Sequence, residues 1–246
     1  LERKIIILAY AGDGNPLVPD TSSDGYTSGN EGGPIRMITH MNQGACLKNV
    51  VKVVVDGNVT AASDDSFIDI VGHWAQEHIE YLYSKGITEG TGDNKFSPNN
   101  TLTRAEFIKF LVSTLKDIDL GSASTGIFKD IEDGQWYTDY VNWAGAKNIP
   151  AGVENDNFRP NDVITREEMA VTIYNFAKAM GIELGTVAEE IVFTDASSIS
   201  EWAKDAVKAV QLSGIINGKP DGSFDPQGQS TRAEASKIIR MIMEKM

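Results

Sequence analysis

One phrase occurs three times in this chain of 246 residues: Thr103-Arg104-Ala105-Glu106, Thr165-Arg166-Glu167-Glu168 and Thr231-Arg232-Ala233-Glu234. The arginines stand 62 and then 66 residues apart. Each phrase opens an apolar run, at 107–112, 169–174 and 235–240. Threonine followed three residues later by glutamate, ahead of an apolar periodic stretch, is the sign of a helix start closed by a capping box. Thr103, Thr165 and Thr231, with Glu106, Glu168 and Glu234, are therefore expected to be structural caps. Capping leaves the arginine unexplained. A cation in the first turn faces the positive end of the helix dipole. Three arginines at the same place call for an anion at each.

The phrase closes a longer unit. Phe67-Ile68-Asp69 recurs as Phe128-Lys129-Asp130 and Phe193-Thr194-Asp195. Then come Trp74, Trp136 and Trp202; Gly90, Gly152 and Gly218; Phe96, Phe158 and Phe224; and Pro98, Pro160 and Pro226. From Trp to Arg the spacing is 30 residues in all three copies. Self-similarity at a fixed period predicts a repeat architecture. Each copy reads as helix, turn-rich loop, helix. The first helix has an apolar face, with Trp74, Ile79, Leu82 and Tyr83 in copy one and Trp202, Ala206, Val207 and Val210 in copy three. The loops hold turn formers at 92–94, 155–157 and 220–222. One helix pair cannot bury its apolar face alone, but three copies can do so together. The third copy reaches Met246 just past its second helix, so a closed three-unit body is expected rather than an open solenoid.

Residues 1–60 are of another kind. Stretches at 4–10, 34–39 and 48–55 read as strands, with a turn-rich segment from Gly12 to Gly33 and an Asp56-Gly57 turn. Three strands in so short a segment are too few for a barrel or sandwich. The segment reads as the tail of a larger, upstream β domain, or as a small sheet that docks on the rest of the chain. Residues 61–66, small and polar, read as a linker.

The net charge of −13 argues against a protein that coats nucleic acid, which needs a basic face. No run approaches the roughly 18 apolar residues of a membrane span, so no membrane insertion is expected. The first residues lack a signal-peptide pattern, and the chain reads as a processed piece. Cys46 stands alone, which excludes an internal disulfide framework and a Cys-based zinc site. It reads as a strand-edge residue.

The ordered set of Phe-x-Asp, Trp-Ala, Ile-x-x-Gly, Phe-x-Pro and Thr-Arg-Ala-Glu resembles the surface-layer homology (SLH) family over 67–246. That resemblance implies a mainly α fold, in which three helix-loop-helix repeats form a three-pronged pseudo-trimer around a helical bundle. It places repeats at 67–126, 127–191 and 192–246. It also implies a non-catalytic, extracellular anchor of the bacterial cell wall or S-layer. Its partner would be a secondary cell-wall polysaccharide, held through a pyruvylated N-acetylmannosamine in grooves between repeats, with other S-layer subunits as a further partner. No cofactor and no metal are implied. A second, short resemblance links 33–38 and 48–52 to the closing strands of molybdopterin-binding oxidoreductases of the sulfite oxidase kind, whose catalytic part would lie upstream.

A pyruvate ketal carries a carboxylate, which suits arginine. Arg104, Arg166 and Arg232 are thus expected to bind it, or to position groups that do. Gly90, Gly152 and Gly218 would let the sugar approach the backbone. Trp74, Trp136 and Trp202 read first as core and alternatively as stacking platforms for the sugar. Asp69, Asp130 and Asp195 read as turn or cap residues. Copy two carries Glu167 beside Arg166, and Pro150 before Gly152, which puts its groove in doubt. Lys219 beside Gly218 could add charge in copy three. Two competent grooves of three are expected.

Two rival classes remain open. The Asp- and Asn-rich loops look superficially like calcium sites, although none carries the alternating ligands and closing glutamate of an EF-type loop. Paired carboxylates could serve a glycosidase, but the repeated glutamates are accounted for as caps. His40, His73 and His78 form no ligand pattern.

Overall fold

The computed structural model describes residues 6–9, 50–54, 67–116, 118–121 and 126–246. The chain divides into two compact units, Leu1–Ser66 and Phe67–Met246. In the first, strand β1 (Ile6–Ala9) pairs antiparallel with β2 (Val50–Val54), Ile6 opposite Val54 and Ala9 opposite Val50. The expected strand at 34–39, the 61–66 linker, His40 and Cys46 lie outside the described residues.

The second unit is helical. Its helices are α1 (Gln76–Ser84), α2 (Arg104–Val112), α3 (Thr138–Ala146), α4 (Arg166–Met180), α5 (Lys204–Leu212) and α6 (Arg232–Met243). Two short 3-10 turns, Ala196–Ser198 and Glu201–Ala203, precede α5. The Thr-Arg phrases start α2, α4 and α6. At each, the threonine hydroxyl accepts from the glutamate backbone N–H, and the glutamate carboxylate accepts from the threonine N–H. α4 stops at Gly181, whose left-handed backbone (φ 67°) a β-carbon would strain. α1, α3 and α5 have no side-chain cap. Their starts are fixed instead by tertiary packing of Ala75, Tyr137 and Ala203, all buried.

The main packing partners come from different copies. α2 packs on α3, α4 on α5, and α6 on α1. Each copy's second helix therefore covers the next copy's first helix, and the last helix covers the first. The two helices of one copy are separated by a long loop, which lets them face different neighbours. Phe96, Phe107, Phe158, Phe176 and Phe224 are fully enclosed in the shared core.

The backbone closes the same cycle. Leu102 N–H donates to Ser230 C=O, Ser230 N–H to Ile164 C=O, and Ile164 N–H to Leu102 C=O, each at 3.2 Å. These residues stand one before each capping threonine and are buried at 0%, 1% and 2% exposure. Buried backbone groups must be paired, and here each copy's N–H is paired by the preceding copy and its C=O by the following one.

Candidate functional site

Each motif arginine reaches into the following copy. Arg104 Nε donates to Phe158 C=O at 2.7 Å and Nη2 to Ala151 C=O at 2.6 Å. Arg166 makes the same bonds to Phe224 and Asn217, and Arg232 to Phe96 and Glu89. The third contact is an ion pair with that copy's capping glutamate: Arg104 with Glu168 (2.7 Å), Arg166 with Glu234 (3.0 Å) and Arg232 with Glu106 (3.4 Å). Each guanidinium also lies 4.5–5.4 Å from the centre of the ring of Phe158, Phe224 or Phe96. The anion that the sequence demands at each helix start is thus the glutamate of another phrase. The arginines are 2–6% exposed. Burial pulls the Arg104 and Arg232 guanidinium pKa values down, and the partner glutamates oppose that shift.

The backbone of each helix start is occupied as well. Arg104 and Ala105 N–H donate to Asp162 and Pro160 C=O, Arg166 and Glu167 to Gly228 and Pro226, and Arg232 and Ala233 to Asn100 and Pro98. These are orphan donors of the first turn, satisfied by the next copy's loop.

Each loop is held by its repeat's aspartate. The two carboxylate oxygens of Asp69 accept from Phe96 and Ser97 N–H, those of Asp130 from Phe158 and Arg159, and those of Asp195 from Phe224 and Asp225, all at 2.6–2.8 Å. The residue after each phenylalanine has left-handed backbone: Ser97 at φ 58°, Arg159 at 62° and Asp225 at 56°. The aspartate stabilises a conformation unfavourable for a non-glycine residue. Its reading as a turn residue matches this geometry.

The glycines face the protein's own atoms. A β-carbon at Gly90 would stand 2.5 Å from Lys95 C=O and 2.6 Å from the Phe67 ring. At Gly218 it would meet the Phe193 ring at 2.8 Å, and at Gly152 the Glu168 carboxylate, beside Arg104. The expected close approach of a sugar is, in the structure, a close approach of the chain to itself.

The tryptophans correct the expectation that they are core. Trp74, Trp136 and Trp202 are 58%, 54% and 52% exposed. The following residue, Ala75, Tyr137 or Ala203, takes the inward position. Each indole lies two residues before a first helix, and the turn that carries Trp202 packs against α4. At the α2–α3 groove, Lys109 Nζ stands 5.7 Å over the Trp136 ring. Trp74 lies between His73 (5.5 Å) and His78 (6.5 Å).

Glu167 and Lys219 behave differently from their sequence reading. Glu167 is buried and turned away from Arg166. It accepts from Ser200 N–H (3.0 Å), Ser200 Oγ (2.8 Å) and Gln227 Nε2 (2.6 Å). It therefore fixes copy three's turn to α4. Lys219 forms an ion pair with Asp225, the left-handed residue of its own loop. Arg159, at the matching loop position of copy two, shares Glu168 with Arg104, at 3.0 Å. Among the described residues no three His, Cys, Asp or Glu side chains gather as a metal site.

A sequence profile of the S-layer homology domain matches residues 66–108, 127–170 and 192–236. The chain belongs to the S-layer homology family. Three relatives show the range of proteins that share this SLH region. An amylopullulanase of Thermoanaerobacterium thermosulfurigenes is 38% identical over 182 residues, covering 74% of this chain and 10% of the relative. A cellulosome-anchoring protein of Acetivibrio thermocellus is 31% identical over 173 residues, 69% of this chain and 36% of the relative. The S-layer protein EA1 of Bacillus anthracis is 26% identical over 212 residues, 80% of this chain and 23% of the relative. The chain spans between 8% and 36% of the length of such relatives. They lend no support to a molybdopterin-binding origin for residues 1–60.

One groove residue escaped the sequence reading: Lys109, five residues after Arg104, stands over the Trp136 ring. Its position was visible in the sequence, but the face it occupies follows only from the packing of α2 on α3.

Proposed function

We propose that residues 67–246 are a non-catalytic, extracellular anchoring module that holds its parent protein at the bacterial cell wall. The proposed ligand is a secondary cell-wall polysaccharide bearing a pyruvylated amino sugar, bound in the grooves between adjacent copies. The observation that carries this reading is the exposure of three equivalent indoles, each above 50%. Single exposed apolar side chains are ordinary on a protein surface. Three large aromatics at one position of a repeat form platforms suited to stacking on sugar rings.

In this reading the repeats run 67–126, 127–191 and 192–246 after a linker at 61–66, and form a three-pronged pseudo-trimer around a helical bundle. The closed cycle of helix and backbone contacts supports that arrangement. Arg104, Arg166 and Arg232 act as positioning residues, shaping each groove by tying it to the next loop. Gly90, Gly152 and Gly218 keep the same loops compact, and Lys219 braces one of them. The names of the anchoring and S-layer relatives support a cell-surface location, and contact with other S-layer subunits is a second proposed partnership. The match to the amylopullulanase covers only 10% of that protein, so no catalysis is carried over from it.

The test is co-sedimentation with purified bacterial cell walls. The chain is expected in the pellet with intact walls, and in the supernatant once the secondary polysaccharide or its pyruvate has been removed. Equal pelleting with stripped walls would overturn the reading.

A further inference from the structure

We propose that Asn217 is a site of spontaneous covalent modification: the Gly218 nitrogen closes on its side chain, ammonia leaves, and the isoaspartate that follows weakens the joint between copies two and three as the protein ages. This goes beyond the anchoring reading and holds whatever the module binds.

Asn217-Gly218 is the one Asn-Gly step in the 246 residues. Asparagine is a thermolabile residue, and it cyclises most readily before glycine, which has no β-carbon to keep its nitrogen from the preceding side chain. The equivalent steps are Glu89-Gly90 and Ala151-Gly152, so copies one and two lack the reacting amide. The structure leaves both reacting groups open. Asn217 is exposed. Among the described residues, none hydrogen-bonds to its side-chain amide or to the Gly218 N–H. The nearby Asp221-Gly222 step is held instead: Asp221 Oδ1 accepts from Ser223 N–H at 3.0 Å and from Ser223 Oγ at 2.7 Å.

The chemistry needs only water. The Gly218 nitrogen attacks Asn217 Cγ and forms an N–Cγ bond. The bond from Cγ to the side-chain nitrogen breaks, and that nitrogen leaves as ammonia with the Gly218 proton. Nothing is oxidised or reduced. Water then opens the cyclic imide. Attack at Cγ gives aspartate and restores the backbone. Attack at the main-chain carbonyl carbon gives isoaspartate: the chain now runs through Cβ and Cγ, one atom longer, and the old carbonyl carbon carries a carboxylate.

The extra atom falls where the chain is fixed from both sides. Asn217 C=O accepts from Arg166 Nη2 at 3.3 Å, and the same arginine pairs with Glu234. Gly218 is packed so closely that a β-carbon would stand 2.8 Å from the Phe193 ring and 3.1 Å from Ser223 C=O. A longer backbone beside Phe193 must displace the loop, and with it the acceptor of a guanidinium that is 6% exposed. Losing a partner is costly for a group so buried. Plain aspartate keeps the carbonyl in place and adds only a charge at an exposed position.

The full chain, incubated at neutral and at mildly alkaline pH, is digested with trypsin, and the peptide 209–232 is followed by chromatography and mass spectrometry. Deamidation is expected at Asn217 before any other asparagine. It should be faster at the higher pH, because the attacking nitrogen must lose its proton. Isoaspartate should appear among the products, and none at this position in Asn217→Ala. The isoaspartyl fraction should unfold at lower urea than the fresh chain, while Asn217→Asp unfolds with the fresh chain. Asn217 reacting no faster than the other asparagines would overturn the proposal. So would an isoaspartyl fraction as stable as the fresh chain, or an Asn217→Asp variant that loses as much stability as the isoaspartyl form.

Discussion

At the scale of single residues, the motif arginine is the residue on which the copies depend. Arg104→Ala would strand Glu168, which is 9% exposed in its side chain, and two carbonyls. Breaking a buried pair by removing one partner costs about 3–5 kcal/mol. Because Arg159 still touches Glu168, the lower end of that range is expected, read from urea unfolding. Thr103→Ala removes only a cap and should cost about 1 kcal/mol. Equal losses in the two variants would refute the locking role. His78 gives a pH prediction. Its native pKa is depressed by burial, Arg240 and Lys237, against weaker opposition from Glu77 and Glu244. The unfolded chain therefore takes up the proton first as pH falls. The stability His78 contributes is present above the ordinary imidazole pKa of 6.5 and is lost below it. His78→Gln should flatten the stability profile between about pH 7 and pH 5. The need for an anion at each arginine was legible in the sequence. Its source was not, because spacing alone does not tell which phrase answers which.

At the scale of elements, the phrase and its loop form a joint. The capping threonine and glutamate start a helix, the arginine crosses to the next loop, and an aspartate holds that loop in its left-handed turn. Asp69→Ala would leave the Phe96 and Ser97 N–H groups without their acceptor. The loss should be about 1–3 kcal/mol in thermal or denaturant unfolding, with equivalent losses at Asp130 and Asp195. A much smaller loss would mean that the left-handed turn holds itself. The helices, their caps and the turn role of the aspartates could be read from spacing and residue type. The outward turn of the tryptophans could not. A residue two positions before a helix is not committed to a face by the helical period, and the inward place went to the residue after it, Ala75, Tyr137 or Ala203. Glu167 misled for a related reason: adjacency to Arg166 in sequence places the two side chains on different faces of α4.

At the scale of the whole molecule, the copies form a cycle in which every interface joins one copy to the next, the last to the first. The sequence supported a three-unit body, and the contacts of α6 with α1 and of Leu102, Ile164 and Ser230 supply its closure. Deleting residues 192–246 would expose one face of α4 and one of α1 and remove two of the three links in the backbone ring. The shortened chain is expected to lose its cooperative transition by circular dichroism. An open stack would instead keep about two-thirds of its helical signal. The central claim is that the exposed indoles of this closed body bind the wall. It is tested most directly by the triple variant Trp74→Ala, Trp136→Ala, Trp202→Ala, compared with the unaltered chain in co-sedimentation with intact cell walls. The variant is predicted to keep its circular dichroism spectrum and remain in the supernatant. A folded variant that pellets as completely as the unaltered chain would contradict the claim.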